Sequence, residues 1–511
     1  MAALADLDTR LAGLGSPAPR LRVTLCDPAA PGPGAVWDPE QPAHLRMNVD
    51  ARIVDLSCPS VPDSYRAWEQ RLRPGTAGET FPPRASVGRY LAWAYERLRS
   101  SPRLDLRHCE GRVTEVTRRG DYWLVTAAAP EGSSVHRAPV VLLCTGHADS
   151  GGPDHRRIAA GDGADASAPL TVTGAALTAI DVVLDLTEGR GGDWRLTSAH
   201  EPEYVASGRE PRLITLNSRT GEMMLPKPAT DQSRAIDAVQ QITSALPTAG
   251  ETDDAWWMTL AEGAVAAART EGVGLDRSAL MHHLDHGSVT DPAEEQWARG
   301  LARAHGQLDG DLAWWWGRAW SGAYRDVVRS LERGERTPEL WSRWRRRAAR
   351  LEKWAFGPPP ATVAKLLALH RAGLLHFRTT PAGSETPAAA ISAVTAGPGI
   401  LTLPAGSIEP HVTHDELWAS LLARGEVSVR PGERGVFTRS DGVCVTLTGR
   451  PSVGLAVLGR PTEDPVIGHD TLNRGLHEDS GRWAQAVADW TTGGWTPVAT
   501  LPFPDHERNS R

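Results

Sequence analysis

The sequence is almost without lysine: Lys227, Lys353 and Lys365 are the only three, and arginine supplies the rest of its 55 basic residues. Alongside abundant Ala, Gly and Pro this is the composition of a high-GC genome, so arginine richness alone says little about phosphate binding. Positive charge is also in deficit. Sixty-two acidic residues leave a net charge of -7, which argues against nucleic acid or an anionic membrane as a partner. The five cysteines, Cys26, Cys58, Cys109, Cys144 and Cys444, contain no C-x-x-C pair. That argues against a dithiol centre of the thioredoxin-reductase kind and fits a reducing cytoplasm, the expected location. No run of 18 apolar residues is present, which argues against a spanning helix. Asp6, Asp8 and Arg10 interrupt the opening MAALADLDTRLAGLG, so it does not read as a signal peptide. What remains is a 511-residue chain, 41% apolar and 23% charged, long enough for two or three globular domains.

Leu4, Leu7, Leu11 and Leu14 recur at helical spacing and share one face, and Gly15 and Pro17 end the helix. Leu21, Val23 and Leu25 then alternate as a strand that closes on Cys26-Asp27-Pro28. Helix, strand and terminal acid form the second half of a βαβ nucleotide unit, in which the acid accepts from adenosine ribose hydroxyls about 20 residues beyond a glycine-rich turn. Asp27 takes that role, but counting back places the turn at or before Met1. The G-x-G-x-x-G that would hold the pyrophosphate is not in the sequence. A misassigned gene start is the expected explanation, with Met1 an internal methionine of the first helical turn.

Farther along, Gly32-x-Gly34-x-x-Trp37, His44-Leu45-x-Met47-Asn48 and Phe81-Pro82-Pro83-Arg84 with Gly88-Arg89-Tyr90-Leu91 resemble the actinobacterial FAD/NAD(P)-binding proteins related to the flavin-dependent N-hydroxylating monooxygenases. The resemblance implies an α/β fold: a two-dinucleotide-binding-domain, Rossmann-like flavoprotein with a β-meander and a helical insertion. It places Met47 and Asn48 near the isoalloxazine. The strands Val113 to Thr117 and Tyr122 to Thr126 lead into the apolar run Val140 to Leu143 and then Cys144-Thr145-Gly146-His147. Thr145-Gly146 suits a buried parallel strand whose glycine admits a ligand, and it resembles the segment that closes the FAD domain in such enzymes.

After a Gly- and Asp-rich linker at 151–168, Leu170 to Thr173 reads as a strand, Gly174 to Ala179 as a turn and Ile180 to Leu186 as a helix. This looks like the family's NAD(P) unit, with Gly174 at the first glycine and Ala176 at the second. A methyl group at Ala176 would crowd a pyrophosphate. Arg209, in Ser207-Gly208-Arg209, also fits the family pattern. The next strand ends in Ser218-Arg219, which suits a 2′-phosphate and so NADPH over NADH.

The Trp-rich stretch at 236–390 reads as helical, and the stripe Trp316, Trp320, Tyr324 reads as core. His282, His283 and His286 match no metal-ligand spacing, and no metal site is expected. The strand Gly454 to Leu458, running into Gly459, with Asp470-Thr471-Leu472-Asn473-Arg474, resembles the return to the FAD; Gly459, Asp470 and Asn473 are assigned there. The expected organisation is a first FAD part at 1–165, an NAD(P)-like unit at 166–235, the helical region at 236–390 and the return at 391–511. The implied activity is an FAD-dependent, NAD(P)H-using, monooxygenase-like oxidoreductase with a small-molecule substrate. Three alternatives stand beside it: a flavin reductase or oxidase, a catalytically silent nucleotide-binding relative, and a pure interaction protein.

Overall fold

The computed structural model describes residues 1–493 apart from 16–19, 35, 73, 75–77, 147–152, 162–167, 198–200, 248–253, 381–389, 396, 403–410, 413–414 and 470. The first helix, α1 (Ala2–Gly13), buries Leu4, Leu7 and Leu11 as the spacing predicts. It leads to β1 (Leu21–Cys26), α2 (Tyr65–Leu72), α3 (Arg84–Arg99) and β2 (Leu104–Cys109). β1 and β2 pair in parallel, Leu21 with Leu104 through Cys26 with Cys109. A three-stranded antiparallel meander follows: β3 (Arg112–Arg119), β4 (Tyr122–Ala129) and β5 (Gly132–Ala138). Its third strand has no counterpart in the sequence reading. GSSVHRA carries too little apolar alternation to signal a strand, and cross-strand pairing with β4 decides its conformation.

The apolar run forms β6 (Val141–Leu143). Its parallel partner is β16 (Pro451–Val457), more than 300 positions later, which also pairs with β15 (Val443–Val445). The β1–β2 and β15–β16–β6 ladders are separate sheets, bridged by side chains instead. Leu21, Val23 and Leu25 of β1 and Leu142 of β6 pack against the same core as α1, α3 and α14 (Asp479–Thr491).

The second unit begins with α4 (His155–Ala160), inside the expected linker, where Asp154 accepts from the Arg157 N–H and Ile158 and Ala159 are buried. Next come β7 (Pro169–Thr173), α5 (Leu177–Leu186), the hairpin β8 (Asp193–Leu196) and β9 (Pro202–Val205), and β10 (Leu213–Ser218). Helix α5 starts at Leu177, three residues before the sequence reading placed it, and is buried without interruption from Ala179 to Leu186.

The tryptophan-rich region is an all-helical body: α6 (Ser233–Thr243), α7 (Asp254–Thr270), α8 (Arg277–His286), α9 (Ala293–Ala304), α10 (Leu312–Leu331), α11 (Pro338–Ala355) and α12 (Pro360–Arg371). Asp276, Asp311 and Thr337 cap α8, α10 and α11 through their side chains. Trp316 and Trp320 are wholly buried, so the stripe is core. Ring burial on this scale contributes roughly 4–6 kcal/mol per tryptophan. Trp320 lies parallel to Trp257 at 6.4 Å, and its indole N–H donates to Glu352 at 2.9 Å.

The expectation that ran the helical region to residue 390 gives way here. β11 (Leu375–Thr379) and β12 (Ala390–Ser392) join the sheet of β7 and β10, in the all-parallel order β11-β10-β7-β12. The helical body is thus inserted into the second nucleotide unit, between β10 and β11. The small pair β13 (Leu401–Thr402) and β14 (His411–Val412) and helix α13 (Glu416–Ala423) precede the return through β15 and β16.

Candidate functional site

In parallel α/β sheets ligands gather at the carboxyl ends of strands, and most of the sequence-predicted residues stand there. Asp27 follows β1 and is half-buried. One carboxylate oxygen accepts from the Ala29 N–H at 2.7 Å, and the other has no hydrogen bond among the described residues. Its backbone is fixed by the Asp27 N–H donating to the Cys109 carbonyl at 3.1 Å. Thr145 and Gly146 follow β6 and are exposed. Gly459 follows β16 and is brought beside them, because the Leu458 N–H donates to the Leu143 carbonyl at 3.0 Å. An open acid at the end of β1 and two glycines at the ends of β6 and β16, on two sheets that share one core, fit a dinucleotide.

Met47 and Asn48 differ from each other. The Met47 N–H donates to the Pro82 carbonyl at 2.9 Å and its side chain is wholly buried in the N-terminal core. Asn48 is half-buried and is the member of the pair that a ligand can reach. Asn473 forms a β-bridge with Val54, and its side-chain oxygen accepts from the Gly475 N–H at 3.0 Å, capping its own turn. Asp470 lies outside the described residues.

In the second unit Gly174 ends β7 with φ +116, a conformation that L side chains rarely adopt. Ala176 is the exposed N-cap of α5 and offers no side-chain acceptor to the first-turn N–H groups, so the helix N-terminus is open to an anion. Arg209 and Arg219 are exposed, and neither guanidinium is ion-paired among the described residues. Ser218 is buried, and its hydroxyl oxygen accepts from the Gly221 N–H at 3.0 Å. Its first role is therefore to hold the turn that presents Arg219.

Between the two units lies a polar cluster that the sequence reading did not find. Asp181 and Asp185, four apart on α5, are both buried. Arg84 of the Phe-Pro-Pro-Arg segment donates to Asp181 at 2.6 Å. His44 of the His-Leu-x-Met-Asn segment pairs with one oxygen of Asp185 at 2.7 Å, and His155 with the other at 2.6 Å. Burial pushes the Asp181 carboxyl up, against the pull of Arg84. Burial opposes charge on His155 too, yet the hydrogen bond and charge of Asp185 raise it overall. Two acids one turn apart in an otherwise apolar helix were the available signal.

A second overlooked group is cationic. Lys227 is pushed down to about 7 by burial, with Arg318 adding to the effect and Glu352 opposing it. Arg318 is buried in α10, and its Nε and Nη2 have no hydrogen-bond partner among the described residues. Lys227 stands over the Phe356 ring at 5.3 Å, Phe356 meets Tyr324 edge-on at 5.0 Å, and the Tyr324 hydroxyl packs against Gly468. The pair thereby connects to the returning segment. There His469 and His477 stack at 4.1 Å, and burial, with each other's proximity, holds His469 far below the usual imidazole range.

Residues 2–148 match the FAD-NAD(P)-binding family. The chain is 28% identical over 238 residues to the nitrosuccinic acid synthase of Aspergillus oryzae, a match covering 40% of this chain and 36% of that protein. It is 26% identical over 259 residues to the nitrosuccinate-forming L-aspartate N-monooxygenase of Streptomyces davaonensis, 40% of each chain. The chain therefore spans well under half the length of these relatives. The reduced form of the ornithine hydroxylase of Pseudomonas aeruginosa superposes over 95% of this chain and 96% of its own, with a TM-score of 0.50 at 12% identity. That likeness is one of fold, a mixed α/β architecture shared along nearly the whole of both chains. No helix among the described residues is long and apolar enough to cross a membrane.

Proposed function

We propose that this chain is an FAD-dependent, NADPH-using monooxygenase that hydroxylates the nitrogen of a small amino acid. The observation that carries the reading is the pair of α/β units, each with ligand-ready residues at the ends of parallel strands, the first opening within a segment that matches an FAD-NAD(P)-binding family. Bound FAD, reduced by NADPH, supplies the activation of oxygen that places one atom on nitrogen and releases the other as water. The chain's own residues do the rest. Asp27 orients the adenosine through its free oxygen, Asn48 lies in the loop assigned to the flavin, and Arg219 and Arg209 favour the 2′-phosphate. The half-buried Lys227 and the buried Arg318, with Glu352 the acid that Lys227 feels, suit the carboxylate of an amino acid substrate. Aspartate, the substrate in the name of one relative, is the first to try.

The test is the purified full chain supplied with FAD, NADPH and candidate amino acids. Flavin absorbance, substrate-dependent NADPH oxidation and a hydroxylamine or further oxidised nitrogen product are expected. Apparent kcat/KM for the amino acid should fall as pH rises through about 7, since Lys227 then loses its proton. Lys227→Met should raise KM and abolish that limb. Flavin reduction by NADPH with peroxide as the sole product, whatever amine is offered, would replace this reading with an oxidase.

A further inference from the structure

We infer that Cys26, Cys109 and His136 form a zinc(II) site that fastens the β-meander to the carboxyl end of the first sheet. The inference is independent of the proposed function. No spacing along the chain announces it, which is why the sequence reading expected no metal: the three residues come from three strands and from positions 110 residues apart. Cys26 is the last residue of β1 and Cys109 the last of β2, and they are register partners in a parallel pair. Partners in register project to the same face of a sheet, so the two thiols are neighbours by construction. His136 arrives from β5, the outer strand of the meander.

The distances suit the metal. The two sulfur atoms and an imidazole nitrogen all lie within 4.8 Å of one another. Cys109 Sγ is 3.3 Å from His136 Nε2. Tetrahedral zinc, with bonds of about 2.3 Å to sulfur and about 2.0 Å to nitrogen, sets such donors about 3.5 Å apart. The Ser134 hydroxyl lies 3.4 Å from Cys109 Sγ and 3.0 Å from His136 Nε2, in reach of the fourth position either directly or through a water. Two thiolates and an imidazole select a borderline-soft ion over magnesium or calcium. All three residues are half-buried, so the ion has an entry path. Binding is a proton exchange without redox change: zinc takes both sulfurs as thiolates, and the thiol protons they give up pass to solvent.

The consequence falls on the neighbouring residue. Asp27 follows Cys26 directly, its N–H donates to the Cys109 carbonyl, and its own carbonyl meets His108 Nε2 at 2.8 Å. A metal at the cluster would hold the strand ends from which Asp27 projects. In that sense Cys26, Cys109 and His136 are positioning residues.

The experiment uses the full chain, stripped with chelator under reducing conditions and titrated with cobalt(II). One equivalent should bind with a thiolate-to-cobalt charge-transfer band, and zinc should displace it. Cys26→Ser and Cys109→Ser should each lose the band, while Cys58→Ser keeps it. Should the serine variants fail to fold, alkylation of the wild-type chain with and without zinc decides. Zinc should protect Cys26 and Cys109 and leave Cys144, which is exposed, labelled as before. A folded, reduced chain that shows no charge-transfer band would overturn the site, as would equal labelling of Cys26 and Cys109 with and without zinc. A Cys26–Cys109 disulfide in the chain as isolated, with no metal uptake after reduction, would overturn it in favour of a simple thiol pair.

Discussion

The two nucleotide units hold themselves together by different means. In the second, four parallel strands form one unbroken ladder, and backbone hydrogen bonds set its shape. In the first, β1–β2 and β15–β16–β6 are separate ladders, and side chains do what a continuous sheet would otherwise do. Asp8 shows how. It is fully buried on α1, accepts from Ser101 Oγ at 2.6 Å and the Ser60 N–H at 2.9 Å, and pairs with Arg103 at 3.0 Å. One carboxylate thus ties together the first helix, the loop before α2 and the turn entering β2. A backbone ladder spreads its stabilisation over many small contributions, whereas a buried polar hub concentrates it in a few residues.

The largest effect is expected from Asp8→Ala. It strands Arg103 and two further donors and should cost about 3–5 kcal/mol in denaturant unfolding. Burial works against the Asp8 charge, but Arg103, Ser101 and Ser60 together hold its pKa below the ordinary value. Its contribution is therefore complete above the unfolded carboxylate range and lost as pH falls through the folded value. Acid should loosen the first unit before the second, read by hydrogen exchange in β1 and β2 against β7 and β10. The matching cut in the second unit is Leu216→Ala, in the middle of its sheet, with an expected loss of about 3 kcal/mol. If it proves costlier than Asp8→Ala, the contrast between the units is wrong.

Gly174→Ala comes next. The positive φ adds about 1–2 kcal/mol of strain, and the new Cβ would lie 3.3 Å from the Ala393 carbonyl oxygen; KM for NADPH should rise with flavin content unchanged. His155→Gln tests the junction between the units and should cost about 1 kcal/mol. Because His155 is raised in the fold, its stabilisation is full below the unfolded imidazole value and fades as pH rises through the folded one. The variant should therefore match wild type more closely at pH 9 than at pH 6 in thermal unfolding. Ala176→Gly is the smallest change. At an N-cap glycine is preferred over alanine, so stability should hold or rise slightly, and KM for NADPH should fall a few-fold if the methyl group does crowd a pyrophosphate.

How legible each unit was follows from the same contrast. The strand–turn–helix from Leu170 to Leu186 could be read because it is short-range: an apolar run, a glycine at a sharp turn and a second apolar run. The closing of that sheet by its two edge strands, β11 and β12, could not, since LHFRT is too mixed to signal a strand and its neighbour in space, β10, precedes it by more than 150 residues. The place of Asp27 at the end of β1 was readable from a local helix–strand–acid pattern. Arg84 and His44 were noticed in motifs, but their partners Asp181 and Asp185 arise only when α5 packs against those loops. Cys26, Cys109 and His136 belong to the same class, visible only after three strands are aligned. Met47 was read as lying near the flavin, and its burial came from packing that no local pattern encodes.

The pairing of β6 with β16 and of α1 with α14 also has a consequence in time. Asp6 of the first helix is bound by Arg474 and by Ser480 at 2.6 Å, so the opening unit is closed by some of the last described residues. As the chain leaves the ribosome, the helical body and the second sheet have all their parts before the first unit does. Contacts of such long sequence separation form slowly, after the loop entropy between them has been overcome. Residues 1–143, although made before the helical body and the second sheet, should become protease-resistant after them, and chains stalled before about residue 490 should leave this unit open.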